Sequence, residues 1–160
     1  MDSAPASRGI TVLDETDRRI IEVLERDART SLRKIAGEVG VALGTVSNRV
    51  RKMEEKGIIT GYRVMLDSDR VGWGLTVVIG LRINKGLLIE IQEKIAKDPR
   101  VYGVYDVTGD FDSMVVARAR DRRDLDDLSK NLLSMDGVAR SVTHLVLNTV
   151  KEEPTSFPHE

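Results

Sequence analysis

Between Arg29 and Arg63 the chain carries Arg29, Arg33, Lys34, Arg49, Arg51, Lys52, Lys56 and Arg63 against Glu38, Glu54 and Glu55. That is eight cations to three acids in a protein whose net charge is −1. Such a segment is either a solvated helical surface or a patch that meets a polyanion. Interleaved with the cations are short hydrogen-bonding side chains, Thr45, Ser47 and Asn48, of the size that reaches base edges and phosphates. If Val46, Val50 and Met53 form the buried stripe of a helix at 100° per residue, Gly44, Asn48, Arg51 and Lys52 point most directly away from it. Thr45 and Ser47 lie on the flanks. Gly44 has no side chain and would let a groove approach the backbone, while Arg51, Lys52 and Lys56 suit phosphates. Arg49 falls close to the buried stripe, where an ion pair with an acid of the first helix competes with a DNA contact.

Other chemistry is poorly supplied. The chain has no cysteine, hence no disulfide, thiolate metal site or cysteine nucleophile. Of its two histidines, His159 is near the end, and His144 alternates with Val142 and Val146 as a partly buried strand residue would. No metal-ligand cluster, nucleophile–base pair or glycine-rich phosphate loop is evident. Asp121, Asp124, Asp126 and Asp127 interleave with Arg122 and Arg123, as at the exposed start of a helix. Neither a cofactor, nor a metal, nor catalysis is expected. Hydrophobic residues at 41% and charged residues at 32% describe a globular protein. No run approaches the roughly 20 apolar residues of a membrane span, and Met1–Pro5 lacks the pattern of a secretory signal. The cytoplasm is the expected compartment.

The elements that must position these residues fall into two groups. After a loose stretch over 1–12, Asp14 caps a first helix through Ile20, Ile21 and Leu24, ending near Asp27 or Ala28. Ser31 caps a second through Leu32, Ile35, Ala36 and Val39, stopped by Gly40. A third runs from Leu43 to about Glu55 and ends at Gly57. Ile58 to Leu66 reads as a small hairpin or wing, so residues 13–66 form a winged helix-turn-helix. Residues 67–74 read as a linker. From Leu75 the period changes to two, with strands over Leu75–Ile83, Val101–Val107, Met114–Ala119 and Val138–Leu147. Helices through Leu87–Ile95 and Leu125–Leu132 separate them, giving the ferredoxin-like order βαββαβ over 75–150. Residues 151–160 read as a second loose end. The fold class is α+β.

Both helices of a βαββαβ unit cover one face of its sheet, and the other face should then be polar at alternate residues. Here Thr76 and Val78 oppose Val77 and Ile79, Val115, Ala117 and Ala119 oppose Met114 and Val116, and Leu145 and Leu147 oppose Val142 and Val146, so several strands carry apolar side chains on both faces. At roughly 25 cal/mol per Å² of buried apolar surface, a homodimer through this face is expected. Pairing would double the contacts on a palindromic DNA site.

The ordered set of short motifs resembles the Lrp/AsnC (feast/famine) transcriptional regulators over roughly 13–151. The matching pieces are Leu13-Asp14 with Asp17 and Ile20-Ile21, Asp27-Ala28-Arg29, Ile35-Ala36, Arg49, and Glu55 through Tyr62. They continue with Thr108-Gly109-Asp110-Phe111-Asp112 and Gly137-Val138. The resemblance implies a regulator that binds double-stranded DNA through the helix-turn-helix, forms dimers and often octamers, and responds to free amino acids where dimers meet. By position it implies an effector set of Gly109, Asp110 and Asp112 with Ser141 and Thr143, although Gly-Asp-x-Asp is equally a good hairpin turn. One departure is Ala42, which stands where the family usually caps its recognition helix with serine, a loss of roughly 1 kcal/mol. Two rival readings are an enzyme of similar architecture acting on tetrapyrroles and a ligand-binding oligomer without specific DNA targets.

Overall fold

The computed structural model describes residues 12–153. The loose ends expected over 1–12 and 151–160 therefore lie outside the described residues, except for Val12 and 151–153. The chain divides into two compact units between Met65 and Leu66.

The first unit contains α1 (Glu15–Arg26), α2 (Leu32–Val39) and α3 (Leu43–Glu55). Its caps follow from the sequence. Asp14 accepts the Asp17 N–H at 2.9 Å, and Ser31 accepts the Lys34 N–H at 3.3 Å, each satisfying an amide the helix leaves free. Gly40 ends α2 in the left-handed region at φ +79°, a conformation that favours glycine. Ile20, Val23, Ile35, Val39, Val46, Val50 and Met53 are buried together.

The stretch Ile58–Leu66, expected as a small hairpin or wing, forms no hairpin and holds no strand of its own. Ile58 and Ile59 pack against the helical core instead, and both their N–H groups donate to the Met53 carbonyl, at 2.8 and 3.2 Å. Only Thr60–Leu66 is left to extend. A lone two-stranded hairpin is marginal in water. Tyr62 donates its hydroxyl to Glu54 at 2.9 Å, while Val64, Met65 and Leu66 are exposed.

The second unit holds β1 (Leu75–Ile83), α4 (Leu88–Ile95), β2 (Val101–Asp106), β3 (Ser113–Ala119), α5 (Arg122–Leu133) and β4 (Val138–Leu145). Its four strands are antiparallel in the order β2-β3-β1-β4. Val77, Ile79, Leu81, Val115 and Ala117 are buried with Ile91 and Ile95 of α4 and Leu128 and Leu132 of α5. Residues 67–74, read from the sequence as a linker, fall within this unit. They form turns there, the N–H of Trp73 donating to the Ser68 carbonyl at 2.9 Å.

The acidic run at the start of α5 departs from the expected exposed surface. Asp121 caps the helix by accepting the Asp124 N–H at 2.9 Å, but Asp124 itself is buried. It accepts from the Arg120 amide at 2.9 Å and from the guanidiniums of Arg120 at 3.1 Å and Arg100 at 3.2 Å. Arg100 also holds Asp98 at 2.7 Å and Asp127 at 2.9 Å. Arg120, then its own backbone amide, keeps the Asp124 carboxyl far below the usual carboxylate range. The Arg100 guanidinium also lowers the Asp98 carboxyl below its ordinary value. A carboxylate whose pKa is lower folded than unfolded stabilises fully above its unfolded pKa, near 4, and loses that contribution as pH falls further. Asp124→Asn is therefore expected to lower the melting temperature by several degrees at pH 7 and to flatten its decline below about pH 4. Acid melting curves parallel to wild type would contradict this.

Candidate nucleic-acid interface and effector site

The third helix presents two faces. Val46, Val50 and Met53 are buried in the three-helix core. Gly44, Ser47, Asn48, Arg51, Lys52 and Lys56 are exposed, and Thr45 is half-buried. Arg51 donates to Asn48 at 3.4 Å and lies 3.9 Å from Glu55, a pair exposed on both sides and correspondingly weak. A methyl group placed on Gly44 would meet no atom of the protein within 4 Å, so nothing inside the chain demands glycine there. Arg33 and Lys34 of α2 are exposed as well.

Arg49, set out above as either a DNA contact or an ion pair, makes the ion pair. Its Nη1 lies 2.5 Å from Asp14 and 2.8 Å from Asp17, so it straps α3 to the start of α1. The Asp17 amide, then Arg49, holds the Asp14 carboxyl below its ordinary value. With its guanidinium held by two carboxylates, Arg49 fixes α3 against the start of α1. A groove beside this strap is lined by Asp14, Asp17, Thr45, Asn48, Lys52 and Lys56.

Ala42 occupies the cap position of α3 in extended conformation and makes no side-chain capping bond. Ala42→Ser places a hydroxyl where the free amides of the first turn can donate to it. It is expected to add about 1 kcal/mol to the stability of the helical unit, read as a raised midpoint in denaturant unfolding. An unchanged midpoint would contradict the missing cap.

In the second unit the single chain separates the expected effector residues. Gly109 takes φ +111° in the turn between β2 and β3, where glycine is favoured. Asp110 is exposed. Asp112 is already engaged: its Oδ2 accepts the Ile83 N–H at 2.8 Å, and its own N–H donates to the Leu81 carbonyl at 2.9 Å. It thereby extends the β1–β3 ladder. Ser141 and Thr143 lie opposite Leu81 and Ile79, on the side of the sheet that carries the helices.

The other face is the apolar one. Thr76, Val78, Met114, Val116 and Val142 are half-exposed on it. His144, expected to be partly buried, is exposed there opposite Val78. The sequence reading missed several polar residues of this face. Arg118 stacks 4.6 Å from the Tyr102 ring centre and pairs with Glu152 at 2.8 Å, tying down part of the expected loose end. Arg82 and Arg140 stand opposite each other on β1 and β4. The alternation that exposed the apolar face contained their signal, as charges at positions continuing an apolar stripe.

Fold and surface together define a helix-turn-helix DNA-binding unit joined to a ferredoxin-like ligand-binding unit. Residues 13–60 match the winged helix-turn-helix DNA-binding domain, and residues 76–156 match the Lrp/AsnC ligand binding domain. The chain is 44% identical to an uncharacterised HTH-type transcriptional regulator of Pyrococcus abyssi, over 89% of this chain and 97% of that one. It is 35% identical to the HTH-type transcriptional regulator LrpA of Pyrococcus horikoshii, over 88% of this chain and all of that one. Among solved structures, AsnC of E. coli superposes with TM-score 0.85 at 26% identity, over 91% of this chain and 99% of that one. A transcriptional regulator of Neisseria meningitidis in complex with L-Met gives TM-score 0.85 at 27% identity, over 92% and 97%. The chain belongs to the Lrp/AsnC family of transcriptional regulators.

Proposed function

We propose that this regulator reads specific duplex sites as a homodimer and that a small amino acid modulates it. The observation that carries the DNA reading is the division of α3, which buries Val46, Val50 and Met53 and leaves Ser47, Asn48, Arg51 and Lys52 outward. Asn48 and Ser47 read base edges, Gly44 admits the groove wall, and Arg51, Lys52 and Lys56 hold phosphates. Thr45 supports the contact from the flank. Arg49 acts as a positioning residue through Asp14 and Asp17.

The half-exposed apolar sheet face supports the dimer. A second copy laid against it would bury Val78, Met114, Val116 and Val142, which water otherwise meets. The L-Met bound by the Neisseria regulator supports an amino-acid effector. Gly109 and Asp110 of the exposed turn would face it, with Ser141 and Thr143 joining from another copy in a larger assembly such as an octamer. No helix among the described residues is long and apolar enough to cross a membrane, and we place the protein in the cytoplasm. Of the α5 carboxylates that could have served an enzyme, Asp124 and Asp127 are held by Arg100 and Arg120, and Asp126 by Lys130, which favours a regulator over a catalyst.

Selection of genomic fragments by the purified protein tests the reading, with enriched fragments competed by bulk DNA. Fragments that bind about a thousandfold more tightly than bulk DNA are the expected result. No fragment outcompeting bulk DNA would leave only a ligand-binding oligomer.

A further inference from the structure

Arg82 on β1 and Arg140 on β4 face each other directly across the antiparallel pair. Like charges so placed repel. The neighbouring pair on the same face is Gly80 with Val142, so both arginines belong to the face without helices. Among the described residues a single carboxylate serves them. Asp112 Oδ1 lies 3.6 Å from Arg82 Nη1, while its other oxygen is taken by the Ile83 amide. Arg140 is exposed and has no carboxylate partner among the described residues.

The surroundings give this corner a shape. Phe111 folds over Gly80 so closely that a Cβ on Gly80 would lie 2.7 Å from its ring. The ring thus covers Gly80 on the face of the sheet that carries the two arginines. The register of β4 shifts between Arg82 and Ile83, and such irregularities re-aim side chains next to binding sites. Asp110 stands exposed in the turn that carries Phe111.

We infer that this corner holds the second carboxylate of a small dicarboxylate, so that the effector of this chain is acidic. The inference rests on the effector reading above and narrows it to one chemical class. Two guanidiniums present planar paired donors that match a carboxylate. Their charge exceeds that of Asp112 by one, which a single carboxylate neutralises. The exposed carboxylate of Asp110 suits an α-ammonium, and Phe111 covers the short apolar stem between the two ends. The corner is open on one side, so a second copy against this face would enclose the occupant and couple its binding to assembly.

Thermal-shift and calorimetric titrations of the full chain decide the matter. L-glutamate and L-aspartate are compared with L-glutamine and L-asparagine at matched ionic strength, with succinate as the amine-free arm. Each acid is expected to bind about tenfold or more tightly than its amide, and R82Q or R140Q to bring that ratio close to one. Succinate matching the amino acids would assign the site to dicarboxylates in general; acidic amino acids alone would show that the ammonium is also held. Amides binding as well as acids would overturn the inference and leave the effector reading standing. If no amino acid and no dicarboxylate binds, the effector reading falls with it. If the arginine variants loosen the dimer without ligand while the acid-to-amide ratio holds, the arginines serve the partner copy and the inference fails. Should either variant not fold, the wild-type ratio still decides.

Discussion

Replacing Arg51 and Lys52 together by alanine is expected to weaken DNA binding about a hundredfold at 0.2 M salt while leaving the fold intact. Both side chains lie on the exposed side of α3, and the buried stripe does not include them. Their loss creates no cavity and breaks only the weak, exposed Arg51 contacts to Asn48 and Glu55. Each phosphate contact releases condensed counterions and contributes roughly 0.9 to the slope of log K against log salt. Two contacts per protomer, doubled by the dimer, remove about 3 to 4 from that slope. The loss should be uniform across sequences, because phosphates carry no sequence information. Replacing Asn48 should instead alter sequence preference at one position, by about 1–3 kcal/mol between bases. A gel-shift series across salt separates the two signatures. A double variant that keeps the wild-type slope would remove α3 from the interface.

The other large effect concerns assembly. Val116→Asp is expected to dissociate the dimer, with an apparent loss of more than about 3 kcal/mol, or over a hundredfold in the dimer constant. Val116 is half-exposed on the open sheet face, opposite Val78 on β1 and Gly103 on β2. In the single chain an aspartate there stays partly hydrated, so the protomer should still fold. In the dimer the same charge enters an apolar contact with no partner. Sedimentation at micromolar concentration reads the change, and affinity for a two-fold site should fall with it. A variant that stays dimeric would place the contact between copies elsewhere.

Much of this was legible in the residues because local chemistry decided it. Asp14, Ser31 and Gly40 mark helix ends through hydrogen bonds and backbone freedom that no distant contact overrides. The stripe Val46, Val50 and Met53 set the outward face of α3 by angle alone. What stayed hidden depended on partners distant in sequence. Ile58 and Ile59 alternate with nothing that marks them as helical-core residues, and packing on α3 withdrew them from the expected hairpin. Asp124 looked like one acid in an exposed run until Arg100, from the far side of β2 and β3, reached it. The five effector positions share a family pattern, yet β1 stands between the turn that holds Asp112 and the strand that holds Ser141. Phe111 over Gly80 was likewise beyond the reach of periodicity, since it depends on how a turn folds back onto a strand.

Hydroxyl-radical footprinting on a genomic fragment selected by the protein tests most directly whether paired copies of α3 read duplex DNA. Two protected half-sites of related sequence, spaced by about one helical turn or a multiple of it, are the predicted result. Uniform protection, or protection unchanged when Asn48, Arg51 and Lys52 are all replaced by alanine, would contradict the account.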